Sequence, residues 1–254
     1  MQMKSFKKKL ISFKNQDNAS YSGIDELLDA ERGLKNYNND VVLKFAKGLG
    51  ISKSFSSSEG FVEFGAGTGS LADVWQTKFG VNPVCIEIDP ALIQILESKG
   101  FTTFSSISLI SSKISYVYTS NVLEHIDNDV EALNEIREKL KPGGKLAIYV
   151  PALPFLYSGL DKKVGHYRRY TRRELIKKVT ESGFTVKDCF YNDSLGILAS
   201  LAVKTLGYKN NLGLGSSKSM ILYDTVFFPI SKILDRIIFR RVIGKNLFLF
   251  AINE

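Results

Sequence analysis

The apolar positions of this chain switch repeatedly between short buried runs and a helical period. Phe61–Phe64, Pro83–Ile88, the run opened by Tyr116-Val117-Tyr118, the stretch from Leu146, Phe184–Tyr191 and Asn246–Asn253 read as strands. Between them, Leu71, Val74, Trp75 and Phe79 mark one face of a helix, as do Leu92, Ile93, Ile95 and Leu96. Val130, Leu133, Ile136 and Leu140, and then Leu175, Ile176 and Val179, do the same further on. Strand and helix in alternation predict an α/β core.

Ahead of this alternation, Ile24, Leu27 and Leu28 and then Val41, Val42, Phe45 and Leu49 predict two helices, beginning near Ser22 and Asp25 and broken near Asn36–Asn39. Near the end of the chain, residues 194–207 and 220–241 are apolar at helical spacing, joined by a Gly/Ser-rich linker from Asn210 to Ser219. In the second stretch Val226, Ile230, Ile233, Leu234 and Ile237 share a side, and Lys232, Arg236 and Arg240 supply charge. Such a helix fits three uses: packing on its own domain, pairing with another subunit, or lying on an anionic membrane. Gly80 and Gly183 stop helices, Asp89 before Pro90 caps one, Asp127 is the expected cap of the next, and Thr171 with Glu174 forms a capping box.

With 254 residues, 44% of them hydrophobic and 24% charged, the chain can bury one substantial core. The predicted organisation is a basic segment with leading helices over 1–59 and a main domain over 60–254, with insertions at 151–170 and 194–245. Cys85 and Cys189 fall far apart in strands and read as core residues of a reducing compartment. No zinc-type spacing occurs, so no metal is expected. The basic start, Met1–Lys14, lacks the apolar core and cleavage site of a signal peptide. No apolar run reaches the ~18 residues of a spanning helix. The expected location is the cytoplasm, with peripheral contact at the inner face of the membrane open to the amphipathic segment. The net charge of +8 gathers at Lys4, Lys7, Lys8, Lys9 and Lys14, read as solvated surface, and between Lys162 and Lys178.

Candidate chemistry centres on Gly65-Ala66-Gly67-Thr68-Gly69, a glycine-rich turn between the first strand and a helix, where a nucleotide-like ligand can lie against the backbone. No lysine followed by Ser or Thr is present to hold a triphosphate, which argues against ATP hydrolysis. NAD is the second candidate ligand, although the loop ends Gly67-Thr68-Gly69 and not Gly-x-x-Gly. At the end of the second strand, about 20 residues past the loop, stand acids of the kind that accept hydrogen bonds from ribose hydroxyls.

The run Glu63-Phe64-Gly65-Ala66-Gly67-Thr68-Gly69 resembles the first motif of the class I S-adenosylmethionine-dependent methyltransferases. Ser120-Asn121-Val122-Leu123-Glu124-His125-Ile126 resembles their fourth motif, and Leu140-Lys141-Pro142-Gly143-Gly144 their turn into strand five. The resemblance implies a Rossmann-like, mostly parallel sheet of seven strands with an antiparallel last strand and helices on both faces. It also implies S-adenosyl-L-methionine as cofactor, held by Glu63, Gly65, Ala66, Gly67, Gly69, Glu87, Ile88, Ser106, Ile107, Asn121 and Val122. Register with the family pattern selects Glu87 over Asp89 for the ribose. Asn36-Tyr37-Asn38 resembles the element that closes over the cofactor, with Tyr37 as the cover; a core or surface tyrosine is the alternative. Two departures stand out: Ser105-Ser106-Ile107-Ser108 replaces an adenine-binding acid, and Ser115 replaces an Asp opening strand four.

Residues 151–170 form an irregular insertion where this fold builds its acceptor site. Gly165-His166-Tyr167-Arg168-Arg169-Tyr170-Thr171, followed by a helix and Gly183-Phe184, looks like a group of bacterial methyltransferases associated with polysaccharide and glycan synthesis. That likeness implies a small-molecule, saccharide or lipid-linked acceptor, with O-methylation the expected reaction; Tyr157, Tyr167, Arg168, Arg169 and Tyr170 are the expected contacts, and a plain basic surface is the alternative reading of this loop. His166, in the insertion, is the first choice for general base and His125 the second; an ordinary structural histidine is the competing reading of each. A nucleic-acid methyltransferase is less favoured, because Asn121-Val122-Leu123-Glu124 stands where an Asn-Pro-Pro-Tyr-like motif would hold a flipped base. A non-catalytic, cofactor-binding partner of a biosynthetic complex is a further alternative. The oligomeric state and the acceptor are not legible.

Overall fold

In the computed structural model, which describes residues 24–52, 55, 60–207 and 216–254, seven strands form one sheet. They are β1 (Phe61–Phe64), β2 (Val84–Ile86), β3 (Thr103–Phe104), β4 (Ile114–Ser120), β5 (Leu140–Pro151), β6 (Thr185–Asn192) and β7 (Asn246–Ile252). Their order is β3-β2-β1-β4-β5-β7-β6, and β7 runs antiparallel to both of its neighbours while the others are parallel. This is the Rossmann-like sheet that the resemblance implies. The order reverses direction between β1 and β4, so a crevice opens at their carboxyl ends, which is where such sheets bind ligands.

Side chains alternate across the pleat and divide the core in two. On one side Val62, Val117 and Leu146 pack against Leu133 and Ile136 of α5 (Asp129–Lys139) and against Leu175 and Val179 of α7 (Arg172–Glu181). On the other, Phe61, Tyr118 and Tyr149 meet Phe45 of α2 (Lys35–Leu49), Trp75 of α3 (Ser70–Phe79) and Phe228 of α10 (Phe228–Ile237). Phe61, Trp75 and Tyr118 lie with ring centroids 4.8–5.6 Å apart, a spacing at which edge and tilted contacts add to area burial. Cys85 and Cys189 are free and buried in these strands.

Most helix ends follow local chemistry. Asp89 accepts the N–H groups of Ala91 and Leu92 to open α4 (Pro90–Ser98), Thr171 accepts that of Glu174, and Gly80 closes α3 at φ 68°. Two ends do not. Asn128, not Asp127, caps α5, because its side chain takes the Glu131 N–H. The leading helices α1 (Ile24–Gly33) and α2 break at Leu34, ahead of the predicted Asn36–Asn39. The reason lies 187–188 residues away: the buried carboxylate of Asp224 accepts both the Asn36 and the Tyr37 N–H at 2.8 Å and sets where α2 begins.

Asp224 belongs to a π-helical turn, Tyr223–Phe227, that joins α9 (Ser217–Leu222) to α10. The stretch predicted as one helix over 220–241 is therefore three segments plus a final 3-10 turn, and helix already starts at Ser217, inside the predicted linker. The earlier apolar stretch forms α8 (Gly196–Leu206). The insertion after β5 holds a short helix, α6 (Gly159–Lys163). Its ends are pinned together by a parallel bridge between Ala152 and Tyr170. The N-terminal lysines, Ser22 and most of the predicted connection and linker segments lie outside the described residues.

Candidate active site

The three loop glycines have different physical reasons. Gly65 and Gly69 sit at φ 77° and 81°, and a Cβ there would come within 2.3 Å of Val122 and 2.8 Å of Leu96, so both are required by packing. Gly67, at φ 56°, is the open one: the nearest atom to an added Cβ is Leu27 Cδ1 of α1, at 3.6 Å. Ala66 is buried between them, its N–H bonded to the Ile86 carbonyl at 3.0 Å. A cradle that only glycine leaves empty is the fit expected for a nucleoside cofactor.

Glu87 stands at the end of β2 and accepts N–H bonds from Gly67 (2.8 Å), Ile88 (2.8 Å) and Asp89 (3.1 Å). A carboxylate has about four lone-pair sites, so one remains for a ribose hydroxyl. Ile88 beside it is 69% exposed, an apolar surface next to that acid. Ser106 caps a 3-10 turn just past β3, on the same side as Glu87, and bonds Ser108. Asn121 takes a left-handed conformation at φ 53° and its N–H holds the Tyr149 carbonyl, so its side chain is exposed at the tip of β4. Lys99 ties this side together, reaching Glu31 of α1 (2.9 Å), Asp73 of α3 (2.8 Å) and the Thr68 carbonyl (2.8 Å).

Three cofactor expectations are corrected. Tyr37 does not cover the loop: it is buried, with its hydroxyl 2.6 Å from that of Tyr149 and its ring on Phe228, and Leu27 of α1 is the residue over Gly67. Glu63 lies beneath the loop, accepting the Tyr118 hydroxyl at 2.7 Å. Burial, only partly offset by that bond, pushes its carboxyl up to about 8. The Ile107 side chain is core, leaving only its backbone for a ligand.

The segment after β4 leads directly to the second cluster. Val122 packs on Gly65, and three residues later the His125 ring meets that of His166 edge to face, with centroids 4.5 Å apart. His166 Nδ1 lies 2.9 Å from Asp161 Oδ1. Asp161 is buried and accepts from Ser158 and from Arg169 Nε at 2.7 Å. Burial opposes its ionisation, but these bonds outweigh it and hold the carboxyl well below the usual range. An ionised Asp only accepts, so in the neutral ring Nδ1 carries the proton and Nε2 keeps its lone pair. Nε2 faces Glu124 Oε1 at 3.9 Å.

Glu124 is fully buried and neither carboxylate oxygen has a hydrogen-bond partner among the described residues. Burial lifts its carboxyl to about 8, against weaker opposing effects of its own backbone amide and Arg169. Burial, then His166, push His125 down to about 4, keeping the ring neutral.

Among the expected acceptor residues, Tyr157 and Tyr167 border this cluster. The Tyr157 hydroxyl donates to the His166 carbonyl at 2.6 Å, and exposed Tyr167 donates its N–H to the Glu124 carbonyl. Arg168 is half committed, to Asp127 and Asp129. Arg169 and Tyr170 are corrected: Arg169 is tied to Asp161 and the Ala152 carbonyl, while buried Tyr170 donates to Asp129. These bonds tie their side chains within the insertion and to α5.

Sequence reasoning passed over Glu124 and Asp161, whose signal was their position one and five residues before the two histidines. It also missed a buried polar network at the β5–β7 end. There Asp193, at φ 63°, receives the Tyr223 and Ser231 hydroxyls, Asp235 holds the Asp193 and Ser194 N–H groups, and Asn192 reaches Tyr149.

The sheet order, the open glycine cradle and the acid at the end of β2 define a nucleoside-binding, doubly wound protein. More narrowly, the chain belongs to the methyltransferase-domain family, whose pattern it matches over residues 32–188. Solved structures with the same fold include an S-adenosylmethionine-dependent methyltransferase from Archaeoglobus fulgidus (18% identity, TM-score 0.55, covering 89% of this chain and 98% of that one). Another is phosphoethanolamine N-methyltransferase 2 from Haemonchus contortus in complex with S-adenosylmethionine (17%, 0.52, 84% and 52%). A third is geranyl diphosphate methyltransferase in complex with the same cofactor (12%, 0.55, 85% and 85%). No curated protein sequence matches this chain.

Proposed function

We propose that this protein is an S-adenosylmethionine-dependent methyltransferase that methylates a hydroxyl of a saccharide or lipid-linked acceptor. The observation that carries this is the continuity of the Val122–His125 segment, whose first residue packs on the glycine loop and whose last meets His166. Gly67, Glu87 and Ile88 would hold the adenosine, with Ser106 and Asn121 at its edges. The bound cofactor supplies a methyl group activated by its sulfonium. The chain's own residues align the acceptor oxygen with that methyl and deal with its proton. The second task falls to the His125–His166 cluster, where Asp161 fixes the tautomer that presents the Nε2 lone pair.

A lipid-linked acceptor is supported by α10 and the turn after it. Ile233 and Ile237 are 60% and 71% exposed, and Ile230, Ile238 and Val242 are exposed as well. Lys232, Arg236, Arg240 and Arg241 follow in the same stretch, a pattern suited to anionic lipid, although Lys232 pairs with Asp40 and both Arg240 and Arg241 with Asp188. No helix among the described residues is long and apolar enough to cross a membrane. The test is calorimetric titration with S-adenosylhomocysteine, then methyl transfer to lipid-linked saccharides on anionic vesicles. Binding lost in Glu87→Ala and turnover on such acceptors are the expected results; a folded protein that binds no S-adenosylhomocysteine overturns the reading.

A further inference from the structure

We propose that Glu124, His125 and His166 form a binding site for a divalent first-row transition cation such as Zn2+. One donor atom from each lies within 4.8 Å of the others. Ligands about 2.1 Å from one tetrahedral or octahedral cation are about 3.0–3.4 Å apart, so the widest pair of donors needs to close by up to about 1.4–1.8 Å. Without a cation the facing polar atoms of Glu124 and His166 leave each other unanswered. Glu124 is a fully buried carboxylate with no hydrogen bond from the described residues, and His166 turns toward it a nitrogen whose lone pair offers no proton. The 3.9 Å between them is too long for a hydrogen bond and suits a shared ion. Arg169 does not answer Glu124, since its guanidinium is committed to Asp161 and the Ala152 carbonyl.

The surroundings are those of a metal-binding histidine. Asp161 takes the Nδ1 side of His166 and is itself clamped by Ser158 and Arg169, which fixes the ring and makes Nε2 a better ligand. Two imidazoles with one carboxylate favour first-row transition cations over Mg2+ or Ca2+. Three protein ligands leave a coordination position for an exchangeable oxygen, and the partly exposed His166 edge is where one enters. The chain contains only these two histidines, and the fold brings them together from sites 41 residues apart in sequence.

Cation binding stands without the methyltransferase reading; its use in catalysis rests on it. With its Nε2 on the cation His166 would serve as ligand in place of base, and an acceptor hydroxyl on the cation would lose its proton to solvent. The oxygen's electron pair would then form the O–CH3 bond as the methyl–sulfur bond breaks and its pair returns to sulfur, leaving S-adenosylhomocysteine.

The test uses the full chain, without an affinity tag, stripped with chelator and titrated with Co2+ by visible absorption and with Zn2+ and Mg2+ by calorimetry. S-adenosylhomocysteine binding is measured in parallel. The expected result is one Co2+ or Zn2+ per chain, weakened at least tenfold in Glu124→Gln and in His166→Gln. Asp161→Asn, which leaves all three ligands in place, should weaken it by about 10–100-fold. No uptake of Co2+ or Zn2+ near 1 mM, a preference for Mg2+, or uptake unchanged in both ligand variants overturns the proposal. If a ligand variant loses S-adenosylhomocysteine binding and its circular dichroism, His125→Gln replaces it. Cation uptake without S-adenosylhomocysteine binding overturns the methyltransferase reading alone; the reverse overturns the metal site alone.

Discussion

The two ends of the crevice are built in different ways. On the β1–β3 side the site is mainly backbone: three glycines at positive φ, a carboxylate held by three N–H groups, and contacts that are mostly local. On the β5–β7 side it is made of side chains that meet across long stretches of sequence. Tyr37 meets Tyr149 from 112 residues away, Asn36 meets Asp224 from 188, and Asp193 meets Asp235 from 42. A backbone cradle serves one constant ligand, and a network of side chains can be varied to suit an acceptor. Substitutions on the first side should therefore alter cofactor affinity, and on the second turnover.

The largest expected effect is on the second side. His166→Asn should lower kcat by about 10²–10⁴ while S-adenosylhomocysteine affinity stays within about twofold of wild type. Steady-state kinetics and calorimetry on the same preparation check this, and a matching fall in affinity would mean that the two sides are one site. Next comes Gly65→Ala. Left-handed strain and the collision with Val122 should together destabilise the fold by about 3 kcal/mol, measured by urea unfolding. Gly67→Ala, which meets only Leu27, should cost about 1 kcal/mol. Glu87→Ala removes a charged acceptor and should weaken S-adenosylhomocysteine binding about 100-fold, with the Co2+ affinity unchanged.

The same division explains what could be read from the chain. The glycine loop and the Asp89 cap were legible because each is a short-range demand: a positive φ, a lone pair near an N–H, a proline at the first helical position; the mostly parallel sheet came with the family resemblance, and its strand order only with the fold. Tyr37 was misplaced because the spacing of Val41, Val42 and Phe45 shows which face of α2 is buried but not what that face meets. Arg169 and Tyr170 read as ligand contacts because a basic, aromatic loop looks the same whether its charges face solvent or answer Asp161 and Asp129. Glu124 gave no sign of burial, since only the folded insertion closes over it.

Glu63 sharpens the boundary between support and ligand contact. Its folded pKa, raised to about 8 by burial, lies above the value near 4.5 expected once the chain unfolds. The folded state therefore holds the proton that the unfolded state releases, and stability falls as pH rises between those values. Below about 4.5 both states are protonated and above about 8 both are ionised, so the contribution is flat outside that window. Glu63→Gln removes this dependence. Relative to wild type it should gain about 3–4 kcal/mol between pH 5 and pH 8, read from urea unfolding at the two pH values. Unchanged S-adenosylhomocysteine binding in the variant fits a supporting role beneath the loop; a tenfold loss would make Glu63 a ligand contact.

The smallest effect should come from the surface farthest in character from both sites. Ile233 and Ile237 are largely exposed on α10, so exchanging both for Ser removes little packing and should change folding stability by less than about 0.5 kcal/mol. If this face rests on anionic lipid, each side chain contributes apolar burial only when the membrane is present. The double variant should then bind vesicles containing phosphatidylglycerol about tenfold more weakly in co-sedimentation, and turnover on a water-soluble saccharide acceptor should not change. Raising salt should release wild type from the same vesicles, because Lys232, Arg236 and Arg240 of this stretch would act through screened charge. Equal vesicle binding by the variant and wild type would show that the face serves another chain, and a concentration-dependent mass in light scattering, lost in the variant, would identify that chain as a second copy.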